Sequence, residues 1–192
     1  DVVGYSTMAT LLQGNPGYDL HSRFAADLIG ESYESFRTHL KHGTETEKST
    51  AKVARQRAKA ANFGFPGGLG ADAFASYART TYGLILTSAE AKSLQKAWKS
   101  MWPEVADYQR AVAGMLDPTT SRGDFALVRT GFVRGGCKYT QACNTQFQGL
   151  AAAGAKTALW RAVTEGPDNG VFPVAFLHDE ILAEVPIARA ND

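Results

Sequence analysis

Apolar residues in the first part of the chain recur at helical spacing. Leu20, Phe24 and Leu28 stand four apart, with Asp19 in front as an N-cap and Gly30 behind as a stop, which predicts a helix. Residues 31–50 are polar and predict a helix fragment followed by an exposed loop. The stretch STAKVARQRAKAANFG then predicts a longer helix over about 48–64, ended by FPGGLG, where Pro66 lacks an N–H and glycines lower helix propensity. Helical patterns resume over 71–82. Thr87 and Glu90 form a capping-box pair opening a helix to about Met101, and Pro103 restarts the chain into EVADYQRAVAGML.

The pattern changes at DPTTSRG, residues 117–123, a candidate boundary. DFALVRTGFVRGG predicts two short strands about Thr130–Gly131. A helix rich in small residues follows over about 140–164, and EGPDNG is a turn. VFPVAFLHDEILAEVP places two apolar runs around His178 and Asp179, which predicts a buried hairpin over about 172–186 with acids at its tip. The class is α+β and mostly helical, with a helical part over 1–117 and a mixed part over 118–192.

Composition narrows the function classes. With 44% hydrophobic and 20% charged residues, the 192-residue chain has the balance of a soluble globular protein. No apolar run reaches the length of a spanning helix, so no membrane partner is expected. Cys137 and Cys143 are too few for a disulfide framework and too poorly spaced for a zinc ribbon; they read as two reduced thiols of an intracellular protein. The net charge is only +1, yet Lys48, Lys52, Arg55, Arg57 and Lys59 follow one another with no acid among them. Such a basic helix is either a solvated face or a polyanion site.

Arg55, Lys59 and Phe63 stand at i, i+4 and i+8. Each step turns about 40° and rises about 6 Å, so the three share one helical face. Two cations followed by a ring suit a ligand with charge at one end and a flat or sugar-like body beyond, as a nucleoside triphosphate has. By spacing alone, a basic surface stripe with a core Phe remains open. Likewise, His178, Asp179 and Glu180 form either an ordinary surface turn or a place where carboxylates meet Mg²⁺.

Order along the chain adds to this. RQRAKAANFG resembles motif B of the family A, DNA polymerase I-like DNA polymerases. QFQGLAAAGAK resembles the family helix that follows, FLHDEILAEVP resembles motif C, and GYDLHSRFAADLIG resembles the segment between motifs A and B. Together these span nearly the whole chain in the family's order, and the likeness is greatest to phage-type members.

The resemblance implies a DNA-directed DNA polymerase, a nucleotidyltransferase of DNA replication. It implies fingers helices over 1–117 and a partial antiparallel palm sheet of a right-hand polymerase over 118–192. Arg55 and Lys59 would bind the incoming triphosphate, with His21 as a further phosphate contact and Lys59 also donating a proton to the pyrophosphate. Phe63 would pack on sugar and base. Asn144 and Gln148 would contact template and primer, and His178 would sit near the primer terminus. Asp179 would ligate metal with help from Glu180, and two Mg²⁺ ions would organise the transfer. Implied partners are primer–template DNA, deoxynucleoside triphosphates and an N-terminal remainder of the polymerase, in the cytoplasm of a bacterial cell or phage-infected host.

The departures are Gly67, where family members usually carry Tyr, Ala153 for a common Asp and Thr140 for a frequent Arg. Motif A, which supplies the other metal-binding aspartate, is not found before GYDLH; Asp1 lies too near His21 and is followed by Ser6 where a glutamate belongs. The chain alone is therefore expected to be inactive. The alternative is a degenerate or split nucleotide- or DNA-binding module without catalysis. Glu180 and Phe63 disfavour the related single-subunit RNA polymerases, which typically carry Ser and Tyr there.

Overall fold

The computed structural model describes residues 2–189 apart from 14, 16, 128 and 179. Its helices are α1 (Thr7–Leu12), α2 (Leu20–Leu28), α3 (Tyr33–His42), α4 (Glu45–Gly64), α5 (Ala71–Tyr82), α6 (Ser88–Met101), α7 (Pro103–Gly114) and α8 (Tyr139–Glu165). The strands are β1 (Arg122–Ala126), β2 (Val133–Lys138), β3 (Phe172–Leu177) and β4 (Glu180–Glu184), paired as β1–β2 and β3–β4 in two-stranded sheets. The protein is thus α+β and mostly helical. No helix among the described residues is long and apolar enough to cross a membrane. Cys137 and Cys143 are both buried.

The chain forms two compact units. One comprises Asp1–Asp124 with Gly135–Asn144, the other Phe125–Arg134 with Thr145–Asp192. The divisions thus fall within β1, β2 and α8, whereas the composition shift at 117–123 is the turn leading into β1. There Asp117 accepts hydrogen bonds from the backbone N–H groups of Thr119 and Thr120, and β1 starts at Arg122.

The first unit is built around α4. Ala51, Ala54, Ala58 and Ala61 are buried at spacings of three and four, a narrow stripe that lets neighbouring helices approach closely. Beyond the helix end, Phe65 is fully buried, its ring 4.2 Å from Phe74 of α5 and 5.6 Å from Trp98 of α6. Pro66 has no N–H to give, and the loop's carbonyls are served from other helices. Gln109 of α7 donates to the Phe65 carbonyl and Gln95 of α6 to that of Leu69. A buried carbonyl left without such a donor would be costly.

Two expectations need correction. Residues 31–50 hold no long exposed loop: α3 runs to His42, and α4 begins at Glu45 after Gly43 and Thr44. The reason is local. Ser32 caps α3, and Thr44 and Glu47 form a reciprocal capping box, so polar residues start helices here rather than interrupt them. The β3–β4 hairpin forms with its turn at His178, but it is not buried. Val174 is 60% and Leu177 55% exposed, and Phe172 and Leu182 are open as well. The strands pair with each other in a sheet of two, which covers hydrogen-bonding edges but no face.

The role given to Phe65 has a direct test. Phe65→Ala is expected to cost about 3–5 kcal/mol in urea unfolding, whereas Ile85→Ala, at a side chain 82% exposed, should stay within about 0.5 kcal/mol. Equal costs would mean that the Phe65 ring does not centre the core.

Candidate functional site

Four of the implied site residues come together in the first unit. Arg55, Lys59 and Phe63 line one face of α4, as their spacing requires, and His21 of α2 joins them. The His21 and Phe63 rings lie with centroids 5.3 Å apart and tilted at 45°. Phe63 is 53% exposed although it is large and apolar, so its ring is open to an incoming group rather than part of the core.

Asp19 organises the charges. Its side chain caps α2 by accepting from the His21 N–H at 3.0 Å and from the Ser22 hydroxyl at 2.7 Å. The same carboxylate receives Arg55 Nε at 3.0 Å and Nη2 at 2.9 Å, with Arg37 at 3.5 Å. One edge of the Arg55 guanidinium is thereby held while the other has no partner among the described residues. Lys59 makes no hydrogen bond or ion pair among them. The face therefore carries three cations against one carboxylate, a net positive field suited to an anion.

The protonation states follow from these neighbours. Burial alone would raise the Asp19 pKa, but hydrogen bonds from Ser22 and Arg55, with the Arg55 charge, bring it down to about 2. The His21 pKa is lowered, first by burial; Asp19 works against this, while Arg55 and Lys59 reinforce it. His21 is therefore neutral near pH 7.

Sequence reasoning named Asp19 only as a cap and missed Asn62. Asn62 lies in the last turn of α4, an amide between buried Ala61 and exposed Phe63, and that polar break in the sequence was the available signal. Its Nδ2 lies 2.9 Å from His21 Nδ1, and its Oδ1 accepts from Trp98 Nε1 at 2.7 Å. The Asp19–Arg55 pair joins residues 36 apart, and no local pattern announces it.

The other implied residues lie elsewhere. Asn144, in the first unit, donates to the Thr140 carbonyl at 2.9 Å and packs on the loop after α4. A Cβ at Gly67 would come within 2.9 Å of its amide, so the position where the family usually carries Tyr has no room unless Asn144 moves. Gln148, in the second unit, is exposed on α8. His178 is exposed at the hairpin turn with φ of 56°, and Glu180 opens β4 opposite Leu177. Asp179 lies outside the described residues. Among the described residues no three His, Cys, Asp or Glu side chains cluster as metal ligands. Glu180 offers oxygen donors of the kind magnesium takes, but one carboxylate does not make a site.

A cleft of about 480 Å³ lies on the far side of α4, lined by Val53, Ala54, Leu86, Leu94 and Ala97. It holds none of the implied residues, and its Arg57 lies 3.9 Å from Glu90, which also lines it. Its apolar walls do not suit a polyanion; the α4 face does.

The Asp19 arrangement carries a pH signature. Its folded pKa lies below the ordinary carboxylate value, so the unfolded chain takes up the proton more readily. The stabilisation is complete above the ordinary value near pH 4 and is lost as pH falls towards about 2. Asp19→Asn should be less stable at pH 7 and lose less stability across that acid window, as read by urea unfolding at each pH. Parallel acid profiles for the two proteins would contradict the assigned ion pair. In comparison with known proteins, the chain matches no protein-family model and no curated protein sequence.

Proposed function

We propose that this chain is the nucleotide-binding helical part, with a portion of the palm, of a DNA-directed DNA polymerase of the polymerase I-like family. In the complete enzyme it would help add deoxynucleotides to a primer 3′ end. The observation that carries this reading is the face formed by His21, Arg55, Lys59 and Phe63. Cations with unused donors lie along a helix that ends in an open aromatic ring. That order matches a triphosphate followed by sugar and base. Arg55 is held by Asp19 at one edge, so its remaining donors are oriented before a ligand arrives.

Further support comes from the second unit. A hairpin with His178 and Glu180 at its tip fits the motif C resemblance. The apolar faces left open on β3 and β4 suit a palm sheet whose further strands lie on a remainder of the polymerase. On this reading Asp179 and Glu180 would be magnesium ligands, and magnesium would supply Lewis-acid stabilisation of the transferring phosphate. Gln148 and His178 would meet DNA. Asn144 has its amide on Thr140 and Gly67, and would act by shaping the loop after α4. Without motif A, the chain by itself should give no Mg²⁺-dependent primer extension.

Calorimetric titration with deoxynucleoside triphosphate and Mg²⁺ tests the binding face. Lys59→Ala should weaken binding roughly tenfold or more, the worth of one charge-assisted contact. Lys96→Ala, at an exposed position of α6, should leave it unchanged. Equal affinity of wild type and Lys59→Ala would sink the assignment. Binding without activity, even after a motif A segment is supplied, would favour the alternative of a nucleotide- or DNA-binding module.

Phe63 offers a second test, in the complete enzyme. A triphosphate lacking its 3′ hydroxyl loses a polar interaction, which a phenolic hydroxyl can replace. Phe63→Tyr should therefore raise dideoxynucleotide incorporation relative to the normal substrate in single-nucleotide assays. An unchanged ratio would mean that the ring does not lie beside the sugar.

A further inference from the structure

Asn62 is oriented by two groups that each have only one hydrogen-bonding role. The Trp98 indole N–H can only donate, and it lies 2.7 Å from Asn62 Oδ1. The Leu20 carbonyl can only accept, and it lies 3.3 Å from Asn62 Nδ2. Both require the amide oxygen to face α6 and the amide nitrogen to face α2. The same nitrogen stands 2.9 Å from His21 Nδ1. A protonated Nδ1 would set donor against donor, so Nδ1 must be bare and must accept. The ring proton of neutral His21 then sits on Nε2, which has no partner among the described residues.

We propose that Asn62 is a positioning residue for the triphosphate site: it holds His21 as the neutral Nε2–H tautomer, so that the imidazole donates to a phosphate oxygen without titrating. The phosphate as acceptor rests on the proposed function; the tautomer rests on the hydrogen bonds alone. The charged groups facing the ring are Asp19, Arg55 and Lys59, and Phe63 packs beside it. Protonating Nδ1 would require either losing the Asn62 contact or turning the amide, which would also break the Trp98 and Leu20 bonds. The two cations oppose a second proton as well. A neutral donor tied in this way keeps one hydrogen-bonding role through the neutral pH range, whereas a free histidine changes both charge and tautomer there.

Nitrogen-detected NMR of the ¹⁵N-histidine-labelled chain tests this, with inorganic triphosphate as the binding probe. In the wild type, the His21 Nδ1 resonance should have the shift of an unprotonated nitrogen and Nε2 that of a protonated one at pH 7. Asn62→Asp replaces the donor with a carboxylate, so Nδ1 should gain a proton and the imidazole pKa should rise. The variant imidazolium still donates from Nε2, but its neutral form does not. The ratio of variant to wild-type dissociation constants for triphosphate should therefore grow roughly tenfold between about pH 6 and about pH 8. Taking the ratio cancels the probe's own titration, and the added negative charge alone would give a pH-independent offset. A protonated Nδ1 in the wild type overturns the proposal, as does an unchanged tautomer in a folded Asn62→Asp variant. The wild-type measurement decides even if the variant does not fold. The predicted tautomers without triphosphate affinity in either protein would support the role of Asn62 and overturn the polymerase reading instead.

Discussion

Asn62 of α4 stands where α2 and α6 meet its helix, and its side-chain amide has a task on both. It takes the Trp98 indole N–H from α6, gives an N–H to the Leu20 carbonyl of α2, and lies against His21. Trp98 is fully buried, so without Asn62 its indole nitrogen would be a buried donor lacking a partner, a costly state. Core packing and site geometry thus share one side chain. The same turn of α4 leads to Phe63 on the open face and Phe65 in the core. The helix buries a narrow alanine stripe on one side and presents cations and an aromatic ring on another.

Asp19 adds an electrostatic constraint to this polar one. It caps α2, holds one edge of Arg55 and lies near Arg37, and as one carboxylate it orders these cations while leaving their charge in excess. Lys59 and the rest of the Arg55 fork remain to be used. The proposed triphosphate site is therefore preorganised: the ligand would complete an arrangement of charges that the fold has already set.

Much of this was legible along the chain, and the limits have physical causes. Helical spacing placed Arg55, Lys59 and Phe63 on one face, and Asp19, Thr87 and Glu90 announced their helix starts because capping is a local interaction. The start of α4 was missed, although Thr44 and Glu47 carry the same signal, because polar residues were read as a loop rather than as a cap. The pairing of Asp19 with Arg55, and the task of Asn62, depend on helices meeting in space, which periodicity within one helix does not report. Two apolar runs around His178 and Asp179 predicted the β3–β4 hairpin but could not say what covers its faces. Gly67 shows the same limit: its identity departs from the family pattern, while the reason, close approach of Asn144, appears only once the loop is folded.

The most direct measurement is an amide-resolved NMR titration of the full chain with deoxynucleoside triphosphate and Mg²⁺. If the α4 face is the triphosphate site, the largest shifts will fall at His21, Arg55, Lys59 and Phe63, and Val53, Leu94 and Ala97 in the cleft on the far side of α4 will stay still. Shifts centred on the cleft residues, or none at saturating nucleotide, would contradict it.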